Sequence, residues 1–121
     1  MSNLTRRILE SIDYEKVANE RRLNYHHLET KLQKTSDIQL ERNERAVPMC
    51  YPYVTSNYNL KSHLINNDIY IPTYWPNVYE WTSPDEYERY LYDSLVALPI
   101  DQRYNTNDMD IILRKIDECR N

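Results

Sequence analysis

The sequence of 121 residues contains no glycine and no phenylalanine. Loops that cradle phosphate groups use glycine, because a backbone without Cβ lets amide N–H groups approach the ligand closely. The sequence therefore excludes both a P-loop and a glycine-rich dinucleotide-binding fingerprint. Asparagine is the best substitute for glycine in the left-handed region, so we expect Asn66 and Asn67 to end a helix in its place.

Cysteine is scarce, and long apolar runs are missing. Cys50 and Cys119 are far apart and show neither Cys-x-x-Cys nor Cys/His spacing, so we predict no metal site and interpret both as reduced thiols. No apolar run approaches the length that spans a membrane, and residues 1–10 contain no apolar signal segment. We therefore expect a cytoplasmic protein without a membrane partner.

Positive charge is also in short supply. Lysine and arginine number 15 against 19 aspartate and glutamate, which gives a net charge of −4. The acidic surplus lies in residues 47–121, where six basic residues stand against eleven acidic ones. No basic stripe is therefore available to follow a phosphate backbone, and the charge pattern argues against a nucleic-acid partner.

The hydrophobic pattern predicts one domain, residues 1–121, with a helical entry over 1–34 and a core of strands and helices over 46–121. The entry holds helices at 2–11 and 14–33, the second of them capped by Asp13. The predicted core elements follow in chain order: strand 46–54, helix 57–66, strand 68–72, loop 77–82, helix 83–93 starting at a Ser83 cap, a strand from Leu95, and a last helix capped by Asn105 or Thr106.

This order of elements predicts an α+β fold. We expect a small sheet of three or four strands with helices packed on one face, preceded by a long N-terminal helix. Pro48 and Pro52 each remove a ladder donor from the first strand, so that strand should lie at or near a sheet edge.

Residues 95–104 are the first place to search for a site. Residues 95–98 form an apolar run that is typical of a buried strand, and Pro99 should end its ladder pairing. Asp101 and Arg103 follow where this strand reaches solvent. The end of a strand is rigid and holds polar groups in fixed positions. Two interpretations stay open: the pair contributes to a site, or it closes a loop and caps the next helix.

Aromatic side chains are concentrated in the middle and second half of the chain. Ten of the 12 tyrosines and both tryptophans lie within residues 51–104. A buried tyrosine hydroxyl needs a hydrogen-bond partner. The enrichment therefore indicates either a core whose edges are in contact with water or a surface that contacts another molecule.

Several pieces of the sequence occur in a recognisable order. They are Arg-Arg-Leu-Asn-Tyr at 21–25, Val-Pro-Met-Cys-Tyr-Pro at 47–52, Leu-Ile at 64–65 before Ile-Tyr-Ile-Pro-Thr-Tyr-Trp-Pro at 69–76, and Leu-Pro-Ile-Asp-Gln-Arg-Tyr at 98–104 before Asp108, Met109 and Ile112. Together they cover about residues 4–116, and the piece at 98–104 is the most specific. In this order the pieces resemble the C-terminal small domain of DegT-type, pyridoxal-phosphate-dependent sugar aminotransferases.

The resemblance implies that this chain is a C-terminal fragment of an enzyme with the type I aminotransferase fold. The complete enzyme would move an amino group from an amino acid, through pyridoxal phosphate, to a keto-sugar carried on a nucleotide. The Schiff-base lysine and the phosphate-binding residues would lie in a large domain, so this chain would hold no catalytic and no cofactor-binding residue. We interpret all five of its lysines as exposed. Its partners would be that large domain, the nucleotide-sugar and, in a homodimer, a second copy.

The resemblance also implies a substrate-facing rim. In many family members a histidine near the end of the segment matching 69–76 lines the substrate mouth, and here Tyr74 takes that place, or Trp75 if the alignment shifts by one. We expect Tyr74, Trp75 and Arg103 to form this rim, with Arg103 offering a fork to a carboxylate or phosphate. The alternative function is a free-standing protein-interaction module that uses its tyrosine- and tryptophan-rich surface.

Overall fold

The computed structural model describes residues 2–41 and 43–120 and has an α+β fold. Within these residues six helices accompany one two-stranded sheet. None of these helices is both long enough and apolar enough to cross a membrane. In chain order the elements are α1 (Asn3–Glu10), α2 (Tyr14–Leu32), β1 (Cys50–Val54), α3 (Leu60–Asn66), α4 (Val78–Trp81), α5 (Tyr87–Ser94), β2 (Leu95–Pro99) and α6 (Thr106–Arg120).

The two strands are antiparallel, and one face of their sheet carries the main core. Tyr51 lies opposite Leu98, and Tyr53 lies opposite Val96. Because side chains alternate along a strand, these four residues share one face. That face packs with the apolar sides of α2, α3 and α6, in a cluster that includes Tyr25, Leu28, Leu32, Leu60, Leu64, Met109, Ile112 and Ile116.

Local capping sets where the two long helices begin. The Asp13 carboxylate accepts a hydrogen bond from the Lys16 backbone N–H at 3.1 Å, which confirms the predicted start of α2. At α6, Asn105 and Asp108 exchange side-chain-to-backbone bonds of 2.9 and 3.1 Å. Of the two predicted caps, Asn105 is therefore the one that the structure supports.

The sheet is smaller than the three or four strands that the sequence predicts. Residues 68–72, expected to be a strand, belong to neither a helix nor a strand, and within the described residues no ladder bond joins them to β1 or β2. Asp68 turns the chain with a φ of 64°, Pro72 has no N–H to donate, and only Ile71 is buried. The segment still runs beside β2, since Pro72 and Pro99 line one cleft.

Four other expectations about the fold need correction. Helices do not all lie on one face, because α5 lies across an apolar cavity from the second face of the sheet. Residues 77–82 are not a plain loop, because they contain α4. The left-handed position after α3 falls on Asp68 rather than on Asn66 or Asn67. Ser83 contacts the Glu86 carboxylate as a capping box would, but α5 begins only at Tyr87.

The core tyrosine Tyr51 makes stability depend on alkaline pH. Its ring lies 4.9 Å from that of Tyr25, and burial, with a smaller effect from Tyr25, raises its pKa from 10.0 to about 12. Between these values the unfolded chain gives up a proton that the folded chain retains, so stability is expected to fall as the pH rises through this window. Denaturant unfolding at stepped pH should show this decline, and it should be smaller in Tyr51→Phe but unchanged in the exposed control Tyr58→Phe.

Candidate functional site

A cavity of about 390 Å³ lies against the second face of the sheet. Pro52 and Val54 of β1 and Leu95 and Ala97 of β2 form its floor, because they alternate with the core-facing residues. We call this space the sheet cavity. The rest of its wall comes from α3, α4, α5 and the connecting segments, through Ile38, Leu40, Lys61, Pro72, Thr73, Tyr74, Trp75, Val78, Tyr87, Glu88, Leu91 and Tyr92.

Lys61 places an amine on the wall of this apolar cavity. Its position on the first turn of α3 brings its Nζ to the Thr73 hydroxyl, to which it donates a hydrogen bond. Burial lowers the pKa of Lys61, because the apolar surroundings disfavour the ammonium form. The expectation that all five lysines are exposed is therefore wrong for Lys61. Its spacing of three residues from the buried Leu64 is the sequence signal that could have shown this.

Tyr74 and Trp75 form an aromatic pair at the end of residues 68–75, the segment that follows α3. Their ring centroids are 5.9 Å apart, and the planes are tilted by 49°. Trp75 has a φ of 51° and is 73% exposed. A positive φ is unfavourable for a bulky residue, so the backbone at Trp75 is strained. Trp75 lines the sheet cavity, whereas Tyr74 lines both this cavity and a neighbouring cleft.

The neighbouring cleft, which we call the rim cleft, brings Tyr74 and Arg103 together. It has a volume of about 450 Å³ and lies where β2 ends, beside residues 70–74. Two of the three predicted rim residues therefore share one cleft, and Trp75 does not line it. The remaining lining comprises Arg21, Met49, Cys50, Tyr70, Pro72, Ala97, Pro99, Ile100, Asp101 and Tyr104.

Charge in the rim cleft is organised by Asp101. Its carboxylate accepts hydrogen bonds from Arg103 Nη2 at 2.8 Å and Arg103 Nε at 3.2 Å. These bonds hold the pKa of Asp101 below its usual value. The Arg103 side chain is nevertheless 74% exposed, so its guanidinium can still meet a ligand. Asp101 also accepts from the Arg103 backbone N–H at 3.3 Å, which closes the turn.

The other polar groups of the rim cleft favour binding over chemistry. Arg21 donates to Gln102 Oε1 at 3.1 Å and to the Pro48 carbonyl at 3.3 Å, so it ties α2 to both chain segments. Burial raises the pKa of the Cys50 thiol, which disfavours the nucleophilic thiolate at neutral pH. The cleft can thus present cationic and aromatic contacts to a ligand, without an activated thiolate beside them.

Neither the search for metal ligands nor the comparison with known proteins assigns a function to these two sites. In the part of the chain that the structure describes, no group of three or more His, Cys, Asp or Glu side chains could hold a metal ion. No family model, no curated protein and no solved structure matches the chain.

Proposed function

We propose that this chain is the C-terminal small domain of a DegT-type, pyridoxal-phosphate-dependent aminotransferase that acts on a nucleotide-sugar. The domain shapes the substrate entrance and does no chemistry alone. The observation that carries the proposal is the rim cleft, where Tyr74 and Arg103 line one concave surface. The guanidinium suits a phosphate or carboxylate, and the tyrosine ring suits the face of a sugar or base.

The sheet edge supports the type I aminotransferase part of this proposal. Residues 69–72 run beside β2 without ladder bonds among the described residues. In the complete enzyme this segment becomes the third strand, and a strand from elsewhere in the protein can supply a fourth. Ile71, which is already buried, fixes the register of the segment against the core.

The lysines bear on where pyridoxal phosphate binds in the proposed enzyme. Lys61 is the one partly buried amine with a lowered pKa among the described residues, so it is the group to test. Its cavity does not fit the cofactor, because among the described residues the charged side chains that line it are Lys61 and the carboxylate Glu88, and none of the described arginines lines it to hold a phosphate dianion. The cofactor therefore belongs to the large domain, which supplies the amine that carries it.

Exposed apolar side chains support the proposed partners of this domain. Leu4 and Ile8 of α1 are exposed, as are Tyr70 and Trp81. Contact with the large domain, and with a second copy in a homodimer, would cover such groups. A cytoplasmic location belongs to the same proposal, since both cysteines are free thiols.

A free-standing interaction module is the second candidate function. It is favoured by the same exposed aromatics, above all Tyr70 and Trp81, at 76% and 75% exposure. Aromatic side chains are enriched where proteins bind one another. The two candidates differ in what precedes the Met1 codon. The first expects in-frame coding sequence with a lysine in a loop of small residues, and the second expects a native start with a ribosome-binding site.

In the longer enzyme, Arg103→Ala is expected to raise KM for the nucleotide-sugar about tenfold and to change kcat less. A charged hydrogen bond to substrate is worth about 1.5–3 kcal/mol, and 1.4 kcal/mol is tenfold in affinity. Steady-state kinetics with varied nucleotide-sugar would measure this effect. Arg114→Ala is the matched control, because Arg114 is exposed on α6, outside the rim cleft. An Arg103→Ala enzyme with unchanged KM would contradict the rim role.

A further inference from the structure

We propose that the sheet cavity binds a small apolar molecule that carries a carboxylate. The apolar body lies between the sheet floor and the aromatic wall, and the carboxylate accepts hydrogen bonds from the Lys61 ammonium and the Thr73 hydroxyl. This site adjoins the rim cleft, with which it shares Pro72, Tyr74 and Ala97, but it does not depend on the proposed aminotransferase activity.

The size and lining of the sheet cavity are those of a small-molecule site. Its volume of about 390 Å³ falls within the range of roughly 300–1,000 Å³ that is usual for ligand pockets. Such pockets are mostly apolar and carry a few placed polar groups. Here the floor is formed by Pro52, Val54, Leu95 and Ala97, while the amine and hydroxyl of Lys61 and Thr73 lie together on the wall.

The charges on the wall select an anion at the Lys61 end. Among the described residues, Lys61 is the one cation that lines the sheet cavity, and in the same part of the chain it forms no ion pair with a carboxylate. Glu88 lines the same cavity but does not pair with Lys61. An ammonium that is partly desolvated and unpaired favours a carboxylate partner, because the bound anion offsets the cost of burying the charge.

The aromatic wall accounts for the apolar part of the ligand. Tyr74, Trp75, Tyr87 and Tyr92 all line the sheet cavity. Flat rings of this kind bury a large apolar area against an aromatic or branched aliphatic body. Trp75 also gives the site an optical probe, because a ligand that enters the cavity changes the surroundings of its indole ring.

The test compares 3-phenylpropionate with its neutral amide, 3-phenylpropanamide, by calorimetry on the full chain and by tryptophan fluorescence in Trp81→Phe, where Trp75 is the remaining tryptophan. We expect saturable binding of the carboxylate, about tenfold tighter than the amide, because both partners are charged in the ammonium–carboxylate bond, whereas the amide leaves the ammonium as the one charged partner. Lys61→Met keeps the aliphatic stem and should abolish this preference. Lys16→Met, on the exposed side of α2, should leave it unchanged. Glu88→Gln should bind the carboxylate at least as tightly as the parent chain, because it removes a like charge.

Three results would overturn the site. They are equal affinity for the carboxylate and the amide, a preference that survives in Lys61→Met, and no saturable binding of either probe. Weaker carboxylate binding by Glu88→Gln would contradict the charge assignment in the same way. Thermal unfolding of each variant shows that it is folded. Should Lys61→Met unfold, Thr73→Val offers a second route, because it removes the hydroxyl on the same wall and should weaken the carboxylate more than the amide.

Discussion

Asn24→Ala is expected to lower the free energy of unfolding by about 3 kcal/mol, since buried polar groups left without partners cost about 1–3 kcal/mol each. Asn24 is fully buried on α2. Its Nδ2 donates to the carbonyls of Ile100, Asp101 and Tyr104 at 3.1, 3.3 and 3.0 Å. One amide group thus holds the turn between β2 and α6 against α2. Alanine would remove this donor from the Ile100 and Tyr104 carbonyls, whereas the Asp101 carbonyl keeps the Tyr104 backbone N–H at 3.1 Å.

Denaturant unfolding measures this loss directly, and the midpoint of thermal unfolding should fall by on the order of 10 °C. The matched control is Asn19→Ala, because Asn19 lies on the same helix but is exposed. It should change stability by less than about 0.5 kcal/mol. If Asn24→Ala and Asn19→Ala lose the same small amount, the turn does not depend on the Asn24 amide.

Leu98→Ala is the second large effect, with an expected loss of about 3 kcal/mol, within the range of roughly 2–5 kcal/mol for such changes in cores. Leu98 is fully buried and lies opposite Tyr51 in the sheet. The substitution removes apolar contacts and leaves a cavity that the flanking strand cannot close, because its pairing fixes the backbone. Urea unfolding followed by circular dichroism would give the difference.

Leu23→Ala is the control for this second prediction. Leu23 is an exposed leucine on α2, so its truncation should change stability by less than about 0.5 kcal/mol. A Leu98→Ala chain that loses less than about 1 kcal/mol would mean that β2 is not the centre of the core, contrary to its place in the cluster.

The sequence predicts those elements whose local signals agree with their packing. The Asp13 cap and the stripe of α2 place that helix within one residue of its observed end, and the apolar run at Leu95–Pro99 is β2 as expected. The last helix also begins where its asparagine cap predicts. In each case the local sequence signal and the burial of the side chains indicate the same element, and this agreement is why the sequence predicts these elements.

The parts that the sequence does not predict depend on distant contacts. Residues 68–72 have strand-like residues, but pairing needs a partner edge and free N–H groups, and Pro72 lacks one. The hydrogen bonds of Asn24 cannot be predicted from the sequence either, because an asparagine inside a helix does not indicate that its amide binds three carbonyls some 80 positions away. The family resemblance led to Tyr74 and Arg103, but it gave no reason to separate Trp75 from them or to single out Lys61.

The most direct measurement mixes the purified chain with pyridoxal phosphate, glutamate and a nucleotide keto-sugar, and follows imine absorbance and consumption of glutamate. We expect no saturable one-to-one imine and no turnover, because the residues that the structure describes around Lys61 form no cationic cradle for the cofactor phosphate. Lys61→Met, run in parallel, identifies any weak imine that forms at this amine. A stoichiometric imine with steady turnover by the chain alone would contradict the proposal that it selects a substrate without transforming it.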